Sequence, residues 1–293
     1  MLGTQLPKSE ANKIVEAALA KVGEIATLPE VTVKIIQIVE NPRSTARDLH
    51  DVIRIDPALS TRLLKVVNSA FYGLPGQIAS VDRAIVLLGL SAVKNIAIAA
   101  SMTHLFNCGG AIEGFSGVEV WRHSIGVAVA ARLITAAQGR PSVEESFLAG
   151  LIHDLGLLVE RQVYPKEMAQ IIAQQKAQSD NFTLLEQAVI GADHPAFGMG
   201  LAAKWRFPRT LCTTIGYHHR PMDLAPVNQE LPVLVHVADA LSAQAGIGFT
   251  ATAAANTITD EMLGVLKLTS TSIEDVAARL PEQVALTESI FSE

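Results

Sequence analysis

Leu148-Ala149-Gly150-Leu151-Ile152-His153-Asp154-Leu155-Gly156 sets an imidazole beside a carboxylate within an intensely apolar run. The pattern predicts one helix over residues 143–162 with both polar side chains inside it. A carboxylate buried there without a partner is strongly disfavoured, so something must compensate its charge, and a divalent cation does so directly. A His-Asp doublet alone arises readily by chance, so the weight falls on what the rest of the chain can bring to it.

Six of the eight histidines, at positions 123, 153, 194, 218, 219 and 236, fall beyond the glycine-rich segment that ends at Gly117. With the carboxylates they give a candidate metal set of His123, His153, Asp154, His194, His218, His219 and Asp239. Imidazole and carboxylate together suit iron, manganese, zinc or nickel. A carboxylate such as Asp154 can also bridge two metals about 3.5 to 4 Å apart, so mononuclear and dinuclear centres both stay open, with His123, His153, Asp154 and Asp239 expected to converge and His194, His218 and His219 to complete a second position. Taken singly, His123 or His194 reads as a packed or capping histidine, as His50 and His104 do; the set together favours a metal-capable centre. His236, three residues before Asp239, reads first as a core residue and second as a support for the ligands. Glu119, one turn before His123, reads as an ordinary helical glutamate and stays outside the set.

The 293 residues are 49% hydrophobic but only 5% aromatic, which favours helices packed closely through small and branched side chains. Breakers divide the chain into segments without period-2 alternation, so the fold class is all-α. Helices are predicted over residues 8–26, 30–40, 46–54, 58–70, 81–88 and 91–106. Further helices follow over 118–138, 143–162, 166–178, 183–190, 195–205, 208–217 and 232–246, with two short ones over 260–267 and 272–280. Leu59, Leu63, Val66 and Val67 mark a typical buried face. Asn41, Ser44, Asp56 and Ser80 stand at cap or turn positions, and Pro195, Pro208 and Pro232 at first-turn positions. Asn68 and Ser69 read as closing residues of their helix, with a tie from Asn68 to the second lobe or to a partner as the alternative. Four glycines between Asn107 and Gly117 mark a junction. The expected organisation is a first lobe over 1–107, a second lobe carrying the metal-capable residues over 118–246, and a helical extension over 247–293.

A net charge of −6 argues against a general electrostatic grip on nucleic acid, leaving only a small patch from Arg206, Arg209 and Arg220. Cys108 and Cys212 are far apart and form no CxxC, which fits a reducing cytoplasm. Residues 1–10 lack the basic-then-apolar order of a signal peptide, and the apolar run 84–101 carries Lys94 and Asn95. A cytoplasmic chain without membrane insertion is the expectation.

Motif order adds a resemblance. Trp121-Arg122-His123-Ser124, His153-Asp154, Ala192-Asp193-His194-Pro195-Ala196-Phe197-Gly198, Lys204-Trp205-Arg206-Phe207-Pro208, Tyr217-His218-His219-Arg220-Pro221 and His236-Val237-Ala238-Asp239 follow the order of motifs in HD and HD-GYP proteins. Leu28-Pro29, Ile55-Asp56-Pro57-Ala58-Leu59, Leu63-Leu64, Asn68-Ser69-Ala70-Phe71-Tyr72-Gly73, Ser80-Val81-Asp82-Arg83-Ala84 and Leu87-Leu88-Gly89-Leu90 resemble the HDOD family closely, over about residues 25–240. The resemblance implies a bacterial, multi-helical HD-like bundle in two lobes that acts in signal transduction with other signalling proteins as partners. Two departures weigh on catalysis. The HDIGK pattern of the HD-GYP phosphodiesterases is replaced by His153-Asp154-Leu155-Gly156-Leu157, and no Gly-Tyr-Pro follows His219. Without that lysine a point charge for a substrate phosphate is missing. The leading expectation is a non-catalytic or weakly catalytic regulatory module with a divalent-metal site. A metal-dependent phosphohydrolase of a nucleotide or other phosphoester, with Asp154 on the metal, stands second, and a nucleic-acid-binding regulator third.

Overall fold

The computed structural model describes residues 8–23, 28–40, 43–69, 73–74, 76–107, 112–140, 143–178 and 181–291. The ends of several expected features, at residues 24–26, Asn41, 70–72 and 108–111, lie outside them. The described chain is all-α, a multi-helical bundle whose extended pairing is one isolated bridge between Ile112 and Phe115. Its helices are α1 (Lys8–Lys21), α2 (Glu30–Glu40), α3 (Ala46–Ile53), α4 (Pro57–Val67), α5 (Val81–Leu88), α6 (Leu90–Asn107), α7 (Gly117–Ala137) and α8 (Val143–Ile152). They continue with α9 (Leu155–Val163), α10 (Pro165–Gln178), α11 (Phe182–Val189), α12 (His194–Lys204), α13 (Arg209–Tyr217), α14 (Glu230–Gln244), α15 (Asp260–Leu266) and α16 (Ser270–Phe291). Among the described residues no helix is long and apolar enough to cross a membrane.

Local chemistry starts several of these helices where expected. Asp56 and Ser80 accept from the backbone N–H groups of Leu59 and Arg83, and Pro57 opens α4. At α3 the cap is Thr45 rather than Ser44, because Thr45 and Asp48 form a reciprocal capping box.

The helices pack around α7, which is buried on nearly every side and lies against α8, α14 and α16. Close approach to α8 depends on Gly150, where a Cβ would stand 2.8 Å from the Ala128 Cα. The hydrophobic core runs continuously from Val15 to Val284. Helix α1 is set apart from α2 to α6, packing on α9 and α12, where Lys204 Nζ donates to the Leu19 carbonyl at 2.9 Å.

Two expected helices differ. The segment 143–162 is broken between α8 and α9 at His153 and Asp154, because both side chains must turn toward one centre, which a continuous helix would prevent by fanning them about 100° apart. The expected 272–280 helix extends through Pro281 to Phe291. The proline removes one hydrogen bond, but burial of Ile273, Val276, Leu280 and Val284 and the 2.7 Å Arg122–Glu288 ion pair hold α16 against the bundle.

Asn68 is tied within its own region. Its Nδ2 donates to the carbonyls of Leu64 at 2.9 Å and Ile78 at 2.8 Å, and its Oδ1 accepts from the Ile78 N–H at 2.6 Å. One amide thus closes α4 and pins the approach to α5. Asn68→Ala is expected to cost about 1 to 3 kcal/mol in urea unfolding with an unchanged m-value. A variant as stable as the parent would refute this role.

Candidate metal centre

Four helices and the α8–α9 break bring the predicted ligands together at one buried centre. His123 comes from the middle of α7, His153 and Asp154 from the break, His194 from the first position of α12, His218 and His219 from just beyond α13, and Asp239 from α14. His219 is half-buried and the other six are buried. They form two groups capable of coordinating a divalent metal. His123, His153 and Asp239 make one, and Asp154, His194, His218 and His219 the other; within each group the donor atoms lie within 4.8 Å of one another.

Asp154 stands between the groups. Its Oδ2 lies 3.3 Å from His153 Nε2, and its Oδ1 lies 3.2 Å from His194 Nε2 and 3.5 Å from His218 Nε2. Although Asp154 occupies the N-cap of α9, its side chain makes no cap bond there. The carboxylate faces the imidazoles instead. Glu119 belongs to neither group.

Every ring in the set is oriented from behind. His123 Nδ1 meets the Ile247 carbonyl at 3.1 Å, His153 Nδ1 the Gly150 carbonyl at 2.7 Å, and His218 Nδ1 the Ile215 carbonyl at 2.7 Å. His194 Nδ1 meets both Glu186 oxygens at 2.8 Å, and His219 Nδ1 meets Asn256 Oδ1 at 3.0 Å. These partners only accept, so each neutral ring carries its proton on Nδ1 and turns the Nε2 lone pair inward. Five lone pairs and two carboxylates then face one another. His123 Nε2 lies 2.9 Å from Asp239 Oδ1 and His194 Nε2 3.1 Å from His219 Nε2, contacts between acceptors that need a proton or a cation between them. His153 Nε2, Asp154 Oδ1 and His218 Nε2 are buried without any hydrogen-bond partner. The donor set and these orphaned atoms fit a divalent cation.

The electrostatics agree. Burial alone would raise the Asp154 carboxyl, yet His153 and His194 hold it well below the usual carboxylate range. Burial likewise opposes charge on Asp239, but His123, His153 and His219 together hold its carboxyl below the usual carboxylate range. By contrast, burial lowers His218, while burial and the neighbouring His218 and His194 push His219 well down. The centre favours positive charge but resists placing it on those two rings.

Further residues support the ligands, and of these Glu186, Glu160, Thr252 and Asn256 carried no signal in the sequence. Glu186 accepts from both the backbone N–H and Nδ1 of His194. Behind it lies Glu160, fully buried, whose carboxyl is driven well up by burial and by Glu186. His236 is buried and sits outside both groups, its Nδ1 meeting the His218 carbonyl at 2.7 Å and its Nε2 the Thr257 carbonyl at 3.1 Å. Thr252 Oγ1 donates to Asp154 Oδ2 at 3.3 Å, and Asn256 Nδ2 to Asp239 Oδ2 at 2.8 Å. A helix-period reading passes over such residues because their segment, 247–257, is small, polar and aperiodic.

The residues of the suggested basic patch are differently engaged. Arg220 lies over the Tyr217 ring at 5.3 Å, and Arg209 lines a cleft of about 610 Å³ among α7, α8, α13 and α14, away from the histidines.

A family model described as the HDOD domain matches residues 25–221. The chain belongs to the HDOD family. Solved structures share the fold of this HDOD chain. A Geobacter sulfurreducens HDOD domain protein with unknown function is 22% identical, with 97% of this chain and 99% of that one covered at a TM-score of 0.82. A Marinobacter aquaeolei protein, provisionally named for signal transduction, is 22% identical, with 100% and 68% covered and a TM-score of 0.78. A Shewanella amazonensis protein, provisionally named a phosphohydrolase, is 22% identical, with 95% and 98% covered and a TM-score of 0.73. An uncharacterized protein of Treponema pallidum (strain Nichols) is 24% identical over 213 residues, 72% of this chain but only 41% of that relative. The family match ends at residue 221, so His236, Asp239, Thr252 and Asn256 of this HDOD chain lie beyond it.

Proposed function

We propose that this HDOD chain is a signal-transduction module that holds divalent cations in a buried centre without using them for turnover. Convergence of five inward-facing Nε2 lone pairs on two buried carboxylates carries the reading. In it His123, His153 and Asp239 bind at one position, and Asp154, His194, His218 and His219 at the other. Imidazole with carboxylate suits iron, manganese, zinc or nickel. When bound, a cation supplies the positive charge that the carboxylates favour. The chain's own part is orientation: backbone carbonyls, Glu186 and Asn256 fix the rings, and the apolar bundle excludes water. The division into a first lobe over 1–107, an HD-like lobe over 118–246 and an extension over 247–293 belongs to the same reading, with other signalling proteins in the cytoplasm as partners.

A metal-dependent phosphohydrolase is the second reading, favoured by Asp154 reaching both groups as a bridging carboxylate would. Against it stand Leu157 where the catalytic relatives have lysine, and the cover that Thr252 and Asn256 form over the centre. The test is elemental analysis of protein purified without added metal, with a phosphodiesterase and nucleotidase panel. One or two ions per chain without turnover is expected. Turnover proportional to bound metal would move the assignment to the hydrolase, and a protein that takes up no metal even on reconstitution would sink both.

A further inference from the structure

We propose that Asn256 is a positioning residue that locks the two ligand groups into register, which makes the segment 247–257 part of the metal centre. The inference rests on the metal reading and extends it to residues beyond the family match. Asn256 Oδ1 accepts from His219 Nδ1 at 3.0 Å while its Nδ2 donates to Asp239 Oδ2 at 2.8 Å. His219 belongs to one group and Asp239 to the other. Only a side chain that accepts at one end and donates at the other can serve both partners, and a primary amide does so within a single rigid plane.

The rest of the segment is anchored so that Asn256 stands where it does. The Ile247 carbonyl accepts from His123 Nδ1, Thr252 donates to Asp154, and the Thr257 carbonyl meets His236. The Phe249 N–H donates to the Glu119 carbonyl at 2.9 Å, fastening the start of the segment to α7. Gly248 permits that contact. It has φ +66°, and a Cβ there would fall 2.3 Å from the Glu119 carbonyl oxygen and 2.4 Å from the His123 nitrogen, both backbone atoms. Each group therefore has at least one ligand oriented from this segment: His123 and Asp239 in one, His219 and Asp154 in the other. Loss of such an outer partner typically weakens metal binding about 10- to 100-fold.

Two variants separate positioning from mere stability. Asn256→Ala removes both contacts and is expected to weaken Co²⁺ binding at both positions about tenfold or more. Asn256→Asp, nearly isosteric, keeps an acceptor for His219 but sets a carboxylate against Asp239. It should weaken the His123–His153–Asp239 position while leaving the other near parental affinity. Titrating full-length, metal-stripped protein with Co²⁺ while recording the visible absorption of each site reads affinity and ligand geometry together, and the melting temperature of the stripped protein reads stability separately. An Asn256→Ala protein with parental affinities and spectrum would overturn the proposal, as would an Asn256→Asp protein weakened equally at both positions. Should Asn256→Ala not fold, the Asn256→Asp split decides alone. A parent that binds no Co²⁺ would instead overturn the metal reading, and this inference with it.

Discussion

Asp154→Ala is expected to strip metal from both positions and to destabilise the protein by about 3 to 5 kcal/mol. The carboxylate reaches His153 through one oxygen and His194 and His218 through the other, and all four groups are buried. Removing it leaves three imidazoles facing a cavity with no compensating charge. Asp154→Asn preserves volume and supplies an N–H₂ donor for an orphaned Nε2, so it should melt closer to the parent while still losing metal. If the centre serves structure, stability across parent, Asn and Ala follows bound metal and buried polarity. If it serves catalysis, Asp154→Asn, with the volume of the side chain kept and the other ligands in place, would melt like the parent yet lose a turnover that the parent shows. Melting temperature, metal content and phosphohydrolase rate, measured on all three proteins, decide between the two. A robustly active parent beside a parent-like but inactive Asp154→Asn would reverse the structural assignment.

Helices that bury one regular face were readable from their residues. Leu59, Leu63, Val66 and Val67 repeat at helical spacing and line the buried side of α4. The polar members of the centre were also legible, because His123, His153, Asp154 and Asp239 interrupt apolar helical segments where an isolated polar group would be costly. The partition into two groups was legible except at Asp154, expected beside His123, His153 and Asp239 but grouped with His194, His218 and His219, since sequence order says nothing about which of its oxygens faces which ring.

Other features were invisible for physical reasons. A break of two residues between α8 and α9 leaves the apolar pattern of 143–162 almost unchanged, so periodicity cannot register it. Pro281 ordinarily argues for a helix end, but the buried face from Ile273 to Val284 outweighs one missing hydrogen bond. Glu160 and Glu186 look like ordinary helical glutamates until α9 and α11 bring them together. Thr252 and Asn256 gain their role wholly from tertiary placement, their segment having neither periodicity nor a metal-binding residue type.

Gly156→Ala should be the most damaging single-methyl change near the centre. By helix propensity alone it ought to stabilise α9 by about 1 kcal/mol. Packing decides otherwise, because a Cβ at Gly156 would lie 1.8 Å from the His194 carbonyl oxygen, 2.6 Å from its carbon and 2.8 Å from the Gly198 nitrogen. All three are backbone atoms of α12, so no rotamer change relieves the clash and the first turn of α12 must retreat. The overpacking cost is about 3 kcal/mol. His194 retreats with that turn, away from Asp154 Oδ1 at 3.2 Å and from His219 Nε2 at 3.1 Å. The expected signature is therefore double: a lower melting temperature, and loss of the Asp154–His194–His218–His219 position while the His123–His153–Asp239 position persists. Gly264→Ala on α15 is the control, since nothing lies within 4 Å of its added methyl and the change should stabilise by about 0.5 to 1 kcal/mol. If Gly156→Ala melts at or above the parent, the α9–α12 crossing is looser than these distances require, and the placement of His194 must rest on Glu186 alone.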